Sequence, residues 1–142
     1  MNVKILNSLD DHSVQQIGAL LNKLDPSAVS PDSERLNFLV DHPDFTLFVA
    51  TDEGNRIVGM LTLTCCHTLA CSKYWIEDVV VDEVCRGKGV GRALVKAAVQ
   101  HTKKREEKSA IYLTSNPSRV SARALYRSEG FEEYNTGVFR LK

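Results

Sequence analysis

Long hydrophobic runs, a surplus of either charge and a second cluster of cysteine or histidine are all missing from this chain. No apolar stretch approaches the ~18 residues that cross a bilayer, so no membrane span is expected. The N-terminus, MNVKILNSLDD, has no apolar core of the kind that marks a secretory signal. Lys and Arg number 18 and Asp and Glu number 18, for a net charge of zero. A protein that coats nucleic acid normally carries a strong basic excess, so no nucleic-acid partner is expected. Repeats, linkers and low-complexity segments are lacking too. With 142 residues, 43% hydrophobic and 25% charged, one soluble domain spanning 1–142 around one core is expected.

Four cysteines are present: Cys65, Cys66, Cys71 and Cys85. With no export signal they are read as reduced thiols of a cytoplasmic protein. Cys65-Cys66-His67 followed by Cys71 invites a metal reading, but the spacing is not that of a zinc knuckle and nothing elsewhere completes four ligands. The expectation is a strand end with small buried cysteines and no metal.

What the chain does have is the stretch Val79 to Arg92, VVVDEVCRGKGVGR. A β-branched run ends at Asp82, and a glycine-spaced basic turn then opens into an amphipathic helix. Strand, glycine turn and helix in that order present bare N–H groups and a helix N-terminus to phosphate. Side chains at the glycines would hold a ligand off the backbone and restrict φ. Arg86, Lys88 and Arg92 concentrate positive charge at the same point. The stretch reads as a pyrophosphate cradle; the bland alternative is a tight turn without a ligand.

Around it, residues 2–6 alternate as a first strand. Asp10 or Asp11 caps a helix with Val14, Ile17, Leu21 and Leu24 on one face, stopped at Asp25-Pro26. Ser30-Pro31 starts a second helix, with Pro31 at its first position and Asp32 and Glu34 in the first turn. It buries Leu36, Leu39 and Val40 and ends at His42-Pro43. Strands are expected at Phe45–Ala50, Arg56–Cys66 and Tyr74–Asp82, forming an antiparallel meander. The helix after the glycine turn buries Val90, Leu94, Ala97 and Ala98 and ends in Lys103, Lys104 and Arg105. KKREEK there reads as a solvated helix end rather than a nuclear-localisation signal. A strand at Ala110–Thr114, a helix over 119–129 closed by Gly130, and two strands within Phe131–Leu141 complete the order. The result is β-α-α-β-β-β-α-β-α-β-β, an α/β fold with a mixed, mostly antiparallel sheet and helices on both faces.

Two motifs in that order resemble the GNAT superfamily of acetyl-CoA-dependent N-acetyltransferases. Its cofactor signature, Arg/Gln-x-x-Gly-x-Gly/Ala after a strand, stands as Arg86-Gly87-Lys88-Gly89-Val90-Gly91. Its later Ala-x-x-x-Tyr followed by Gly-Phe stands as Ala122 to Tyr126, then Gly130-Phe131. With a strand between the motifs and the element order matching as well, the resemblance covers essentially the whole chain. Arg119 stands where many members carry Asn, which bears on subfamily.

The resemblance implies acetyl-CoA as cofactor. It implies that the backbone of Val79, Val80 and Val81 binds the pantetheine arm like an added strand. The N–H groups from Gly87 through Lys88, Gly89, Val90 and Gly91 to Arg92 would hold the pyrophosphate. Tyr126 would be general acid to the leaving thiolate, a phenol with pKa near ~10 that donates without ionising. The base is Glu77 or Asp78, carboxylates at the start of an apolar strand. Simple alternation lets only one face the cleft, grouping Glu77 with Val79 and Val81 and Asp78 with Ile76 and Val80; Glu77 is favoured. His67 and Tyr74 could line the acceptor pocket. Arg119, Arg123 and Arg127 recur on one helix face and could meet an anionic substrate or a coenzyme A phosphate. His12, His42 and His101 read as surface or cap residues.

The acceptor implied is the primary amine of a small molecule, either an amino sugar phosphate (the IEDVVVD segment resembles glucosamine-6-phosphate N-acetyltransferases) or an aminoalkylphosphonate or similar amine. A protein or peptide amine, or a non-catalytic acyl-CoA-binding module, are the alternatives. Homodimerisation, common in the family, is a further expectation.

Overall fold

The computed structural model describes residues 1–104 and 109–142. Five strands lie in chain order across one sheet: β1 (Asn2–Ile5), β2 (Phe45–Thr51), β3 (Ile57–His67), β4 (Ser72–Val81) and β5 (Ile111–Leu113). β1 to β4 are antiparallel neighbours, and β5 joins β4 in parallel. Four helices, α1 (Asp11–Leu24), α2 (Ser33–Val40), α3 (Val90–Lys103) and α4 (Val120–Ser128), cover the two faces.

Alternation along β2 divides the core. Leu47 and Val49 pack with Ile17 and Leu20 of α1, Leu36 of α2, Met60 and Val80. Phe48 and Ala50 turn to the other face and meet Val90, Leu94, Val95 and Ala98 of α3 and Tyr126 of α4. Burying some twenty side chains in two layers is the main drive for this fold, each large aliphatic one contributing about 1.5–3 kcal/mol.

Helix starts are specified locally. Asp10 caps α1: its carboxylate accepts from Ser13 N–H at 2.7 Å, and Asp10 N–H donates to Ser13 Oγ at 3.0 Å. α2 begins later than expected. Asp32, not Pro31, sets its start, because the Asp32 carboxylate can accept from Arg35 N–H at 2.8 Å. Pro31 therefore precedes the helix. α3 runs to Lys103 with Lys104 as its cap; Arg105 and the rest of the KKREEK segment lie outside the described residues.

The two strands expected within Phe131–Leu141 do not form: residues 131–142 carry neither helix nor strand. The segment has a polar middle (Glu132, Glu133, Asn135, Thr136, Gly137), and Glu133 turns back to the guanidinium groups of Arg123 and Arg127. Val138, Phe139 and Leu141 are left exposed. The expected buried cysteines are also corrected. Cys66 and Cys71 are exposed and Cys65 only half-buried, because full burial along β3 ends at Leu63, short of the hairpin tip.

Where β4 leaves the sheet, Asp82 collects three elements. Its carboxylate accepts from Lys23 Nζ of α1 at 3.0 Å and from Arg56 Nη1 of the β2–β3 turn at 3.1 Å, while its N–H donates to Val58 O at 2.8 Å. The Lys23 hydrogen bond, with Arg56 beside it, holds the Asp82 carboxyl below the usual range. Both cations are about half exposed, so solvent screens the gain. Asp82→Asn should lower stability by about 1 kcal/mol at neutral pH, read from the urea midpoint. A depressed native pKa contributes fully above the unfolded value of about 3.9 and is lost as pH falls through the native one. The deficit of the variant should therefore shrink in acid; a deficit unchanged below both values would mean that the ion pairs are not its cause.

Candidate functional site

β4 carries a bulge at its middle. Met60 pairs with Val80 and Thr62 with Glu77, so Leu61 faces two residues, Asp78 and Val79. Asp78 takes φ +50°, a left-handed value that aspartate tolerates better than most residues. The bulge resets alternation. Tyr74 and Ile76 point to the α3–α4 face, and so do Val79 and Val81, while Val80 points to α1.

That changes the reading of the two carboxylates. Glu77 does not share a face with Val79 and Val81, and Asp78 does not stand opposite to it. Both line one cavity of about 350 Å³, with Leu21, Leu24, Asp25 and Ala28 on one side and Leu113, Thr114, Arg119 and Tyr126 on the other. Thr62 Oγ1 donates to Asp78 Oδ2 at 2.9 Å and occupies that carboxylate. Glu77 has no ion-pair partner among the described residues. Partial burial, and then the charge of Asp78, push its carboxyl above the usual range.

The bulge also separates β4 from β5. The parallel pairing stops at Ile76 with Leu113, so beyond it the outer edge of β4 has no partner strand among the described residues. Val79 to Val81 thus offer backbone to an extended ligand. One acceptor on the run is engaged: Arg86 Nε donates to Val81 O at 3.3 Å.

After a short 3-10 turn, Glu83–Cys85, the chain enters the glycine loop. Gly87 and Gly89 take φ +74° and +81°, and the space a Cβ would fill at each is open. Gly89 is the N-cap of α3 and contributes no side-chain cap. The first α3 bond of the usual kind is Ala93 N–H to Gly89 O at 3.0 Å, so the preceding N–H groups have no carbonyl one turn back. Lys88 stands exposed beside them. These features fit an anionic phosphate ligand. Gly91 and Val90 also serve packing. A Cβ at Gly91 would lie 3.3 Å from Leu125, and Val90 is buried against Gly59. Arg92 is spent on α4, donating to Ser128 Oγ at 3.2 Å and pairing with Glu129 at 3.4 Å.

Tyr126 is held by the end of its own helix. Phe131 N–H donates to Tyr126 O and Gly130 N–H to Arg127 O, both at 3.0 Å, with Gly130 at φ +93°. The Phe131 ring meets the Tyr126 ring edge-on at 6.1 Å between centroids. Gly130-Phe131 is thus a helix stop that seats Tyr126 in the cavity wall. Burial raises the phenol pKa, against a smaller lowering by Arg119, which keeps it protonated near neutrality.

Other expected site residues fall elsewhere. Tyr74 is buried in the core under α3, and His67 lies at the far end of β3, paired with Asp44. Arg123 is turned to Ser115 O and Glu133, leaving Arg119 as the arginine of the cavity. Thr62 and Asp25 were missed. Thr62 was legible only through the hairpin register opposite Glu77; Asp25 looked like nothing more than a helix stop.

A five-strand mixed sheet with a bulged, splayed fourth strand feeding a glycine loop and helix defines an acyl-coenzyme A acetyltransferase fold. The chain belongs to the Acetyltransferase (GNAT) family, whose sequence pattern matches residues 14–131. It is 32% identical over 60 residues to the spermine/spermidine N(1)-acetyltransferase of Bacillus subtilis (strain 168), a match spanning 42% of this chain and 40% of that relative. Among solved structures, it superimposes with a TM-score of 0.82 and 25% identity on an aminoglycoside acetyltransferase from an uncultured soil metagenomic sample, crystallised with trehalose. That match covers 99% of this chain and 96% of the other. Glucosamine-6-phosphate N-acetyltransferase from Arabidopsis thaliana shares the fold, with a TM-score of 0.79, 21% identity and 99% of each chain covered. Members of the family use acetyl-CoA as co-substrate.

Gly89→Ala should cost about 1–2 kcal/mol in a urea titration, because its Cβ meets no atom and only the left-handed φ is strained. A neutral outcome would mean that the loop relaxes to negative φ.

Proposed function

We propose that this protein transfers the acetyl group of acetyl-CoA to the primary amine of a small molecule by direct attack. The observation that carries this is the meeting, in one cavity, of the carboxylate Glu77 with the buried phenol Tyr126, beside the open edge of β4 that leads on to the glycine loop. When bound, acetyl-CoA supplies a thioester. Val79 to Val81 would pair with its pantetheine arm, and the loop from Gly87 to Gly89 with the first turn of α3 would hold its pyrophosphate. Glu77, directly or through one water, takes the proton of the acceptor ammonium and frees its lone pair. Tyr126 O–H gives its proton to the sulfur as the C–S bond breaks. The raised pKa of each group suits its task, one a stronger base than an ordinary carboxylate and the other a neutral donor.

Amino sugar phosphates and aminoalkylphosphonates are candidate acceptors, with Arg119 to meet the anion. The balance of charge favours a second reading. Asp25, Glu77 and Asp78 line the cavity against the single cation Arg119, which suits an acceptor with more than one positive group. The names of the polyamine and aminoglycoside relatives agree with that reading.

The test is thiol release from acetyl-CoA over a panel of polyamines, aminoglycosides, amino sugar phosphates, aminoalkylphosphonates and short peptides. Turnover with a polycation and none with the phosphates is the expected result. Binding of acetyl-CoA with no turnover on any amine would favour the non-catalytic module. Tyr126→Phe should lower kcat about 10²–10⁴-fold while coenzyme A affinity, measured by calorimetry, is unchanged; full activity would remove Tyr126 from the chemistry. Wild-type kcat/KM should fall on the acid side through a group above the ordinary carboxylate range. Glu77→Gln should lose that limb together with most of the rate. A limb that persists in the variant would assign the base elsewhere.

A further inference from the structure

Away from the cavity, the end of the β3–β4 hairpin gathers three side chains that the proposed reaction does not use. The pairing of Phe45 with Thr64 sets Asp44 opposite Cys65, and Cys65 N–H donates to Asp44 O at 2.8 Å. Cys65 and His67 are two apart on β3 and so share a face. The thiol, the imidazole and the Asp44 carboxylate present one ligand atom each, all within 4.8 Å of one another. His67 Nε2 lies 3.2 Å from Asp44 Oδ2, and His67 Nδ1 lies 2.8 Å from Ser72 Oγ.

We propose that Asp44, Cys65 and His67 form a binding site for a zinc-class divalent cation, with a fourth position open to solvent. Donor type is the first reason: thiolate, imidazole and carboxylate are the three ligands that zinc takes. Spacing is the second. With metal–nitrogen and metal–oxygen bonds near 2.1 Å, a tetrahedral edge is about 3.4 Å, close to the observed approach of His67 to Asp44. Edges to sulfur are about 3.6 Å, reached by small rotations of the exposed imidazole and the half-buried carboxylate. Support of the ligands is the third. Ser72 Oγ can accept from Nδ1–H, which leaves the Nε2 lone pair for the ion, as bound histidines usually require. The backbone beneath Cys65 and His67 is a paired hairpin, and Asp44 is tied to it through its carbonyl. Cys66 is excluded by alternation, and Cys71 sits in the connecting loop, where its carbonyl accepts from Thr68.

Binding exchanges the Cys65 S–H proton, released to solvent, for a metal–sulfur bond. The site joins the start of β2 to the tip of the β3–β4 hairpin. Cys65 lies three residues, or about 10 Å along β3, from Thr62, the partner of Glu77. An ion there would brace the hairpin without touching the reacting atoms.

Cobalt(II) added to the reduced protein is the probe, because a thiolate–cobalt charge-transfer band reports a cysteine ligand directly. One cobalt per chain should bind with that band and with visible bands of tetrahedral intensity, and zinc should displace it. Cys65→Ser should abolish the charge-transfer band, while Cys66→Ser and Cys71→Ser keep it. Ser72→Ala should weaken binding about 10- to 100-fold, the usual effect of losing a ligand's supporting hydrogen bond. The wild-type melting temperature should rise with zinc and that of Cys65→Ser should not. No thiolate band at micromolar cobalt, a band that survives Cys65→Ser, or one that disappears with Cys66 or Cys71, would each overturn the proposal.

Discussion

One extra residue in β4 governs the functional half of this molecule. Leu61 faces both Asp78 and Val79, and the left-handed backbone at Asp78 absorbs the mismatch. Such a conformation persists only where surrounding structure holds it, and here Thr62 does so through the Asp78 carboxylate. Three consequences follow from that single insertion. Glu77 and Asp78 come to one face, β4 turns away from β5, and the backbone of Val79 to Val81 is left with an open edge. A regular strand in the same sheet would have buried one carboxylate under α3 and paired that edge with β5.

The second organising element is the stop of α4. The helix ends through Gly130 at positive φ, and the returning chain lays Phe131 against Tyr126. Two hydrogen bonds and one ring contact thereby set a phenol at the wall of the cavity that the bulge opened. The bulge of β4 and the phenol of α4 lie far apart in the chain, and α3 packs between their elements. It packs on β3 through Val90 and on α4 through the bare Cα of Gly91. The glycines of the loop therefore divide in role: Gly87 and Gly89 permit backbone geometry, whereas Gly91 permits close approach.

Much of this was legible from local signals. The Asp10 and Gly130 caps, the meander of β2 to β4 and the glycine loop each rest on chemistry within a few residues. So did the family, because both motifs depend on such local geometry. Pro31 misled because a proline suits a first helical turn, but Asp32 is a stronger cap. The terminal strands misled because nothing local in Phe131–Leu141 records whether a partner is at hand, and the segment pairs with no strand among the described residues. The face of Glu77 was misassigned by strict alternation, which a bulge violates without changing composition.

By itself, then, the sequence determined the elements that close on their own hydrogen bonds: capped helices, hairpin turns, the positive-φ glycines and the order in which they occur. Which side chains meet was decided by the tertiary structure. Asp25 joins Glu77 only because α1 crosses β4, Arg119 and Tyr126 of α4 meet Glu77 only across the cavity, and Asp44 joins Cys65 and His67 only through strand register. Those meetings depend on how the sheet is paired and where it slips by one residue, and strand pairing is a non-local free-energy balance that no short stretch of chain records.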